Sequence, residues 1–496
     1  MNNMLVLLMI LPMLAGVLLV FLRPFVLAQR IISLITMFGT FILSVYLLLV
    51  VQNEGIMSID FGGWFAPIGI SFVGDAFSLL LVVTTNLVVM ICLLYIFASI
   101  GKEKEKMYVY PFIHLLVAGV NGSFLTGDLF NLFVCFEVML LASYALLVLG
   151  GKQIQLREAV KYVLVNVISS ALFLIAIAYL YGALGTLNMA HLSVRIAEVN
   201  QPAILTTIAI VFLLVFSLKA GLLLYFWLPG TYGAPPMAIA ALFGSLLTKV
   251  GIYALFRTFT LLFYHQVEVT HVLIAFMAMA TMIGGSLGAI SSHDVRKVIS
   301  YNVVIAVGFI LSGLAVYNTT AIEGAIYYLI HDMITKALLF LLIGVTMYAS
   351  RTAYMERMSG LIYHYPLLGW LFFLVMLALA GIPPLSGFIG KIYVAQGVLE
   401  GGAYVLLIVG LIASMFVLYS LLRVFTNCFW GEPSISEDDR VVLKKGMMLP
   451  SVLLAIVMCA LGLGVESITD IVSQAAETLM NPQLYIDAVL PDDAFL

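Results

Sequence analysis

The chain has 496 residues, 64% of them hydrophobic and only 9% charged, with a formal net charge of −3. Soluble domains carry about 25% charged residues, so the composition excludes that class and points to an integral membrane protein. The small net charge and the lack of a basic tract argue against nucleic acid as a partner.

Apolar runs long enough to cross a bilayer recur along the whole chain. Hydropathy predicts fourteen helices, at roughly 4–22, 31–51, 72–98, 110–126, 129–149, 159–182, 204–228, 237–263, 271–291, 298–316, 323–349, 367–398, 403–428 and 447–465. No Lys or Arg precedes Arg23. A cleaved signal needs a basic start, so the first run reads as a spanning helix.

Basic residues orient the spans. The odd-numbered connections hold sixteen of the 22: Arg23, Arg30, Lys102, Lys104, Lys106, Lys152, Arg157, Lys161, Arg296, Lys297, Arg351, Arg357, Arg423, Arg440, Lys444 and Lys445. The even connections are assigned only Arg195 and Arg257. The positive-inside rule makes the odd connections cytoplasmic and puts both termini outside. The stretch from Glu466 to Leu496 agrees, with six acids and no Lys or Arg.

Four lysines remain, all inside spans: Lys219, Lys249, Lys336 and Lys391. A charge near a helix centre costs roughly 2.5–3.5 kcal/mol on insertion scales, so these face the protein interior. Glu137 in the fifth helix and Asp332 in the eleventh are the clear buried acids. Asp332 and Lys336 stand at i,i+4 and can touch, while His331 lies partly around that helix. Histidine passes protons readily near neutrality. Burial disfavours each charge of a Glu–Lys pair and the partner restores it, so a changing separation moves protons. The bland reading makes these charges structural ion pairs. An excess of buried lysines over acids favours a relay. His114, in the fourth helix, divides between packing and proton uptake.

Two spans are interrupted. Pro229, Pro235 and Pro236 close the seventh, and Pro383 and Pro384 lie within the twelfth. Proline frees backbone carbonyls, which a bilayer tolerates only where protein or a water-filled cavity supplies partners. Lys219 precedes one break and Lys391 follows the other. Helices 4–8 and 9–13 form two sets of five with the discontinuous helix fourth in each, so the second set is inverted, a transporter design. The resulting division is 1–109 for three N-terminal helices, 110–263 and 271–428 for the repeats, and 429–496 for a cytoplasmic loop, helix 14 and an acidic external tail. The fold class is all-α integral membrane. The scattered cysteines Cys92, Cys135, Cys428 and Cys459 read as packing residues, and no metal or cofactor motif is visible.

Several stretches carry a family likeness. Trp227-Leu228-Pro229 through Ala234-Pro235-Pro236, Leu246 to Arg257, Asp294 to Asn302, His331 to Phe340, Gly381 to Lys391 and the Phe136-Glu137 step resemble the antiporter-like subunits of respiratory complex I and the Mrp-type cation/proton antiporters. The likeness covers about residues 70–430. Tyr225 and Tyr232 stand in or near the places of two histidines usual in complex I, which favours the Mrp-type branch. The chain ends soon after helix 14, without the lateral helix of one complex I subunit or the C-terminal extension of the large A-type Mrp protein.

The resemblance implies a proton-translocating subunit of a multisubunit sodium/proton antiporter, without redox cofactor or ATP. It implies that Glu137 and Lys219 pair in a first half-channel, and that Lys249 passes protons along the midplane. His331 and Lys336 continue the relay, and Lys391 is the exit site. It also implies assembly with small membrane subunits and the large A-type one, in a bacterial cell membrane. The main alternative is a proton-pumping subunit of a redox-driven complex, such as complex I or a membrane hydrogenase. A third is a scaffold whose charges only hold neighbours in register.

Overall fold

The computed structural model describes residues 2–434, 437–438 and 440–490. Among the described residues, twelve helices are long and apolar enough to cross a membrane: α1 (Met4–Phe21), α2 (Val26–Glu54), α3 (Ala76–Ser99), α5 (Leu129–Leu147), α6 (Gln153–Leu184), α7a (Ala203–Ala220), α8 (Met237–Leu261), α9 (Val267–Ser291), α10 (Val295–Val316), α11 (Thr319–Ser350), α13 (Tyr404–Cys428) and α14 (Lys445–Leu463). Two shorter apolar helices, α4 (Val109–Leu125) and α12a (Pro366–Ala380), stand where the fourth and twelfth spans are expected.

Polar side chains start several of these helices. Asp75 accepts from the Ser78 backbone at α3, Asp128 from Asn131 at α5, Asp294 from Arg296 at α10 and Asn318 from Ala321 at α11. Each satisfies an amide that the first turn leaves unpaired. Not every connection is a bare loop. A hairpin pairs Met57–Asp60 with Ser71–Gly74, Met57 opposite Gly74. An amphipathic helix, Met189–Glu198, lies between α6 and α7a.

Burial ranks the helices. The most apolar stretches of α8 and α11 are wholly enclosed, whereas two-thirds of that of α1 and of α13 faces outward. Within 109–261 and within 267–428, each spanning helix packs on the next spanning helix and the first packs on the last. The α8 helix also packs on α11, joining the two sets through their most buried members.

Both expected interruptions occur, but the first is displaced. The α7a helix stops at Ala220, and Gly221 adopts a left-handed conformation. Six more residues pass before α7b (Leu228–Gly233) begins. Pro229 thus sits in the first turn of α7b, where its missing N–H costs nothing. Pro236 is the N-cap of α8, just after Pro235. Glycine and the following turn make the break, not proline. In the twelfth span Pro383 and Pro384 do lie inside the gap, between α12a and α12b (Ser386–Glu400).

Two further expectations need correction. Arg257, counted with the eighth connection, is buried within α8. The acidic segment after α14 is folded: Glu466–Met480 and Pro482–Val489 are helices packed against α3, α11 and the hairpin. Two of its six acids, Asp492 and Asp493, lie outside the described residues.

Candidate functional site

Lys219 occupies the last turn of α7a, where unpaired carbonyls at a helix C-terminus favour a cation. The break leaves few groups unsatisfied. The amides of Gly221 and Leu222 both donate to the Ser217 carbonyl at 2.9 Å, and the Trp227 indole donates to Leu218 at 3.2 Å. The Leu223 amide donates to the Thr281 hydroxyl at 2.7 Å.

Glu137 and Lys219 do not touch. Ser170 of α6 stands between them, accepting from the Lys219 ammonium at 3.3 Å and donating to Glu137 through a short hydrogen bond. The Phe136 ring lies 4.9 Å from the ammonium. A hydroxyl that accepts from a cation while donating to a carboxylate can pass a proton by exchanging its own hydrogen. Little side-chain movement is then required.

The second cluster lies on α8 and α11. The Lys249 ammonium meets Asp332 at 2.7 Å, and Lys336 approaches the other carboxylate oxygen at 3.4 Å. All three side chains are essentially fully buried. A π turn over Phe243–Leu247 precedes Lys249, and Lys249 donates to the Gly244 carbonyl within it at 2.8 Å. Such turns frequently mark functional positions in helices. One carboxylate thus serves two lysines from opposite helices.

His331, next to Asp332, points to the other side of α11. Its Nδ1 lies 2.7 Å from the Ser386 hydroxyl at the start of α12b and 3.2 Å from the Thr335 hydroxyl. Its ring is 5.3 Å from that of Tyr328. Lys391 donates to the carbonyls of Leu379 and Ala380, at 2.8 and 3.0 Å, filling the last turn of α12a. No carboxylate lies within ion-pair distance of it among the described residues. The Phe309 and Tyr328 rings flank its ammonium at 5.8 and 6.0 Å. Glu137, Lys219, Lys249, Asp332, Lys336, His331 and Lys391 therefore fall into three groups on adjoining helices.

His114 joins none of them. It is buried near the start of α4, and neither ring nitrogen has a hydrogen-bond partner. Sequence reasoning missed Ser170, whose residue type carries no signal in an apolar run. It also missed a buried pair, Arg257 to Asp75 at 2.5 Å, ringed by Phe77, Tyr253 and Tyr485. That pair left a signal, since Asp75 and Arg257 both fall inside expected spans.

Known proteins match this architecture. A family model described as "NADH:quinone oxidoreductase/Mrp antiporter, TM" matches residues 126–417. The D-type Na(+)/H(+) antiporter subunit of Bacillus subtilis (strain 168) is 46% identical over 99% of this chain and 100% of its own length. Its counterpart of the same name from Alkalihalophilus pseudofirmus is 44% identical over 99% of this chain and 100% of its own. Among solved structures, a chain of the Mrp complex from Dietzia sp. DQ12-45-1b superposes with a TM-score of 0.92 at 29% identity, covering 99% of each chain. With the likeness spanning nearly every residue, the chain belongs to the NADH:quinone oxidoreductase/Mrp antiporter family of membrane subunits.

Proposed function

We propose that this chain is the D-type subunit of a multisubunit sodium/proton antiporter and carries its proton current. The observation that supports this most is the series of buried lysines on four helices, Lys219 beside the Ser170 hydroxyl, Lys249 and Lys336 beside Asp332, and Lys391 on the free carbonyls of α12a. Buried ionisable side chains at membrane depth are costly and mark ion pathways.

In this reading protons pass between Glu137 and Lys219 through Ser170, then to Lys249, by Asp332 and Lys336 to His331 and finally Lys391. Residues 110–263 and 271–428 act as two inverted half-channels. The lysine- and arginine-rich connections face the cytoplasm and both termini face outward, as the positive-inside rule requires. Sodium leaves the cell as protons return, so the chain is part of a secondary transporter rather than an enzyme and uses no redox cofactor. Its partners are small membrane subunits and a large A-type one, all in the cell membrane. The relatives' names support this reading over a redox-driven pump.

The test is Lys219→Ala in everted vesicles. The assembled complex should persist while sodium-dependent proton flux disappears. Normal flux from assembled mutant complex would assign these charges to scaffolding instead.

A further inference from the structure

Outside the three charge groups, the start of α6, the start of α10 and the short helix α7b enclose a polar basin of ≈ 340 Å³. Four cations line it, Arg157 and Lys161 of α6 and Arg296 and Lys297 of α10, against two acids, Glu158 and Asp294. It lies among odd-numbered connections, which the positive-inside rule assigns to the cytoplasm.

Both acids are engaged within the protein. Glu158 is buried and accepts from Lys161 at 2.8 and 3.1 Å. Asp294 caps α10 and holds the Arg296 guanidinium through bonds of 2.6 to 3.2 Å. Two of the cations stay available. Arg157 reaches Glu158 only at 3.9 Å, and Lys297 is exposed, with no acid within ion-pair distance among the described residues. Gly230 of α7b forms part of the floor, where a Cβ would collide with the Glu158 carboxylate. The basin therefore presents spare positive charge to an anion.

Its opening selects the kind of anion. Arg157, Lys161, Leu164 and Ile168 follow at steps of four, three and four residues, so they share one face of α6. All four are exposed. Two cations near the helix start thus give way to two apolar side chains deeper in the span. Phe226, on the basin wall, is exposed as well. A soluble anion would use the charges and leave the apolar face idle, whereas an amphiphile uses both.

We propose that the basin binds the phosphodiester headgroup of an anionic phospholipid, whose acyl chain lies along Leu164 and Ile168. Basic pockets between spanning helices on the cytoplasmic side attract such headgroups. Arginine, moreover, matches phosphate oxygens with a planar fork of donors. The α7b helix has six residues and packs on both α6 and α10. A headgroup bridging α6 and α10 holds it in place between them. The site is separate from the proton relay and stands without it.

The experiment uses the purified, assembled complex in neutral detergent and a phosphatidylglycerol carrying a diazirine in its acyl chain. After irradiation, peptide mapping should find the label on the α6 stretch that contains Leu164 and Ile168. Unlabelled phosphatidylglycerol should compete about tenfold better than phosphatidylcholine of the same chains. Glycerol 3-phosphate, which has the charge without the chain, should not compete. Arg157→Gln combined with Lys297→Gln, both at exposed positions, should weaken labelling about tenfold or more in a complex that assembles normally. Lys219→Ala should label like the parent, since the relay takes no part. Equal competition by phosphatidylcholine, displacement by glycerol 3-phosphate, or unchanged labelling in the double variant overturns the site. An unlabelled α6 overturns it too, because a partner subunit then covers this face.

Discussion

Ser170 is the residue on which the first charge group turns, because its hydroxyl joins Lys219 to Glu137. Ser170→Ala keeps the volume nearly constant and removes the shared hydroxyl. Proton flux should fall by about tenfold or more with the complex still assembled, measured by dye quenching in vesicles. Asp332 presents the opposite case. It pairs with two buried ammonium groups, and removing one partner of a buried pair costs about 3–5 kcal/mol. Asp332→Asn should therefore lower the thermal stability of the purified complex as well as its flux. Adding Lys336→Met should recover part of the stability and none of the flux. Such coupling is expected of residues in one network. The lysines themselves were legible because a charge in an apolar run is conspicuous. Their partners were less so: serine hydroxyls and backbone carbonyls look ordinary in sequence and acquire a role only through packing.

At the scale of elements, the two broken helices deliver lysine to the interior in different ways. In α7a the ammonium leaves its own helix and reaches α6. In the twelfth span Lys391 crosses the gap and binds the carbonyls that α12a leaves free. Close helix approach fixes these positions. A Cβ on Gly251 of α8 would sit 2.6 Å from the Ala220 nitrogen, at the end of α7a beside Lys219. Backbone cannot yield as a side chain can, so Gly251→Ala should push α8 off α7a. The expected loss is roughly 1–3 kcal/mol, the range for overpacking, read as a lower melting temperature. Hydropathy located the spans well but misassigned the first break to proline, because a glycine in left-handed conformation leaves almost no mark in an apolar sequence.

For the whole molecule, the Lys249–Asp332 pair between α8 and α11 joins the two five-helix sets by a buried ion pair. That link could not be read from spacing, since residues 249 and 332 are remote in sequence and only folding joins them. The C-terminal helices were also hidden, being read as an acidic tail. They are tied down by Arg257, whose guanidinium lies 4.9 Å from the Tyr485 ring, and by the Ser58 hydroxyl donating to Ala488. Arg257→Gln should strand Asp75 in the interior, destabilise the chain by about 3–5 kcal/mol and expose the last helices to protease. Limited proteolysis of the intact complex would register that directly.

The central claim is that a carboxylate and an ammonium, linked by one hydroxyl, move protons rather than merely hold helices. Sodium-dependent proton flux in everted vesicles, with Glu137→Gln and Glu137→Asp compared at equal assembly, tests it most directly. Glutamine should abolish the flux and aspartate should restore part of it. Equal flux in the two variants would contradict the account.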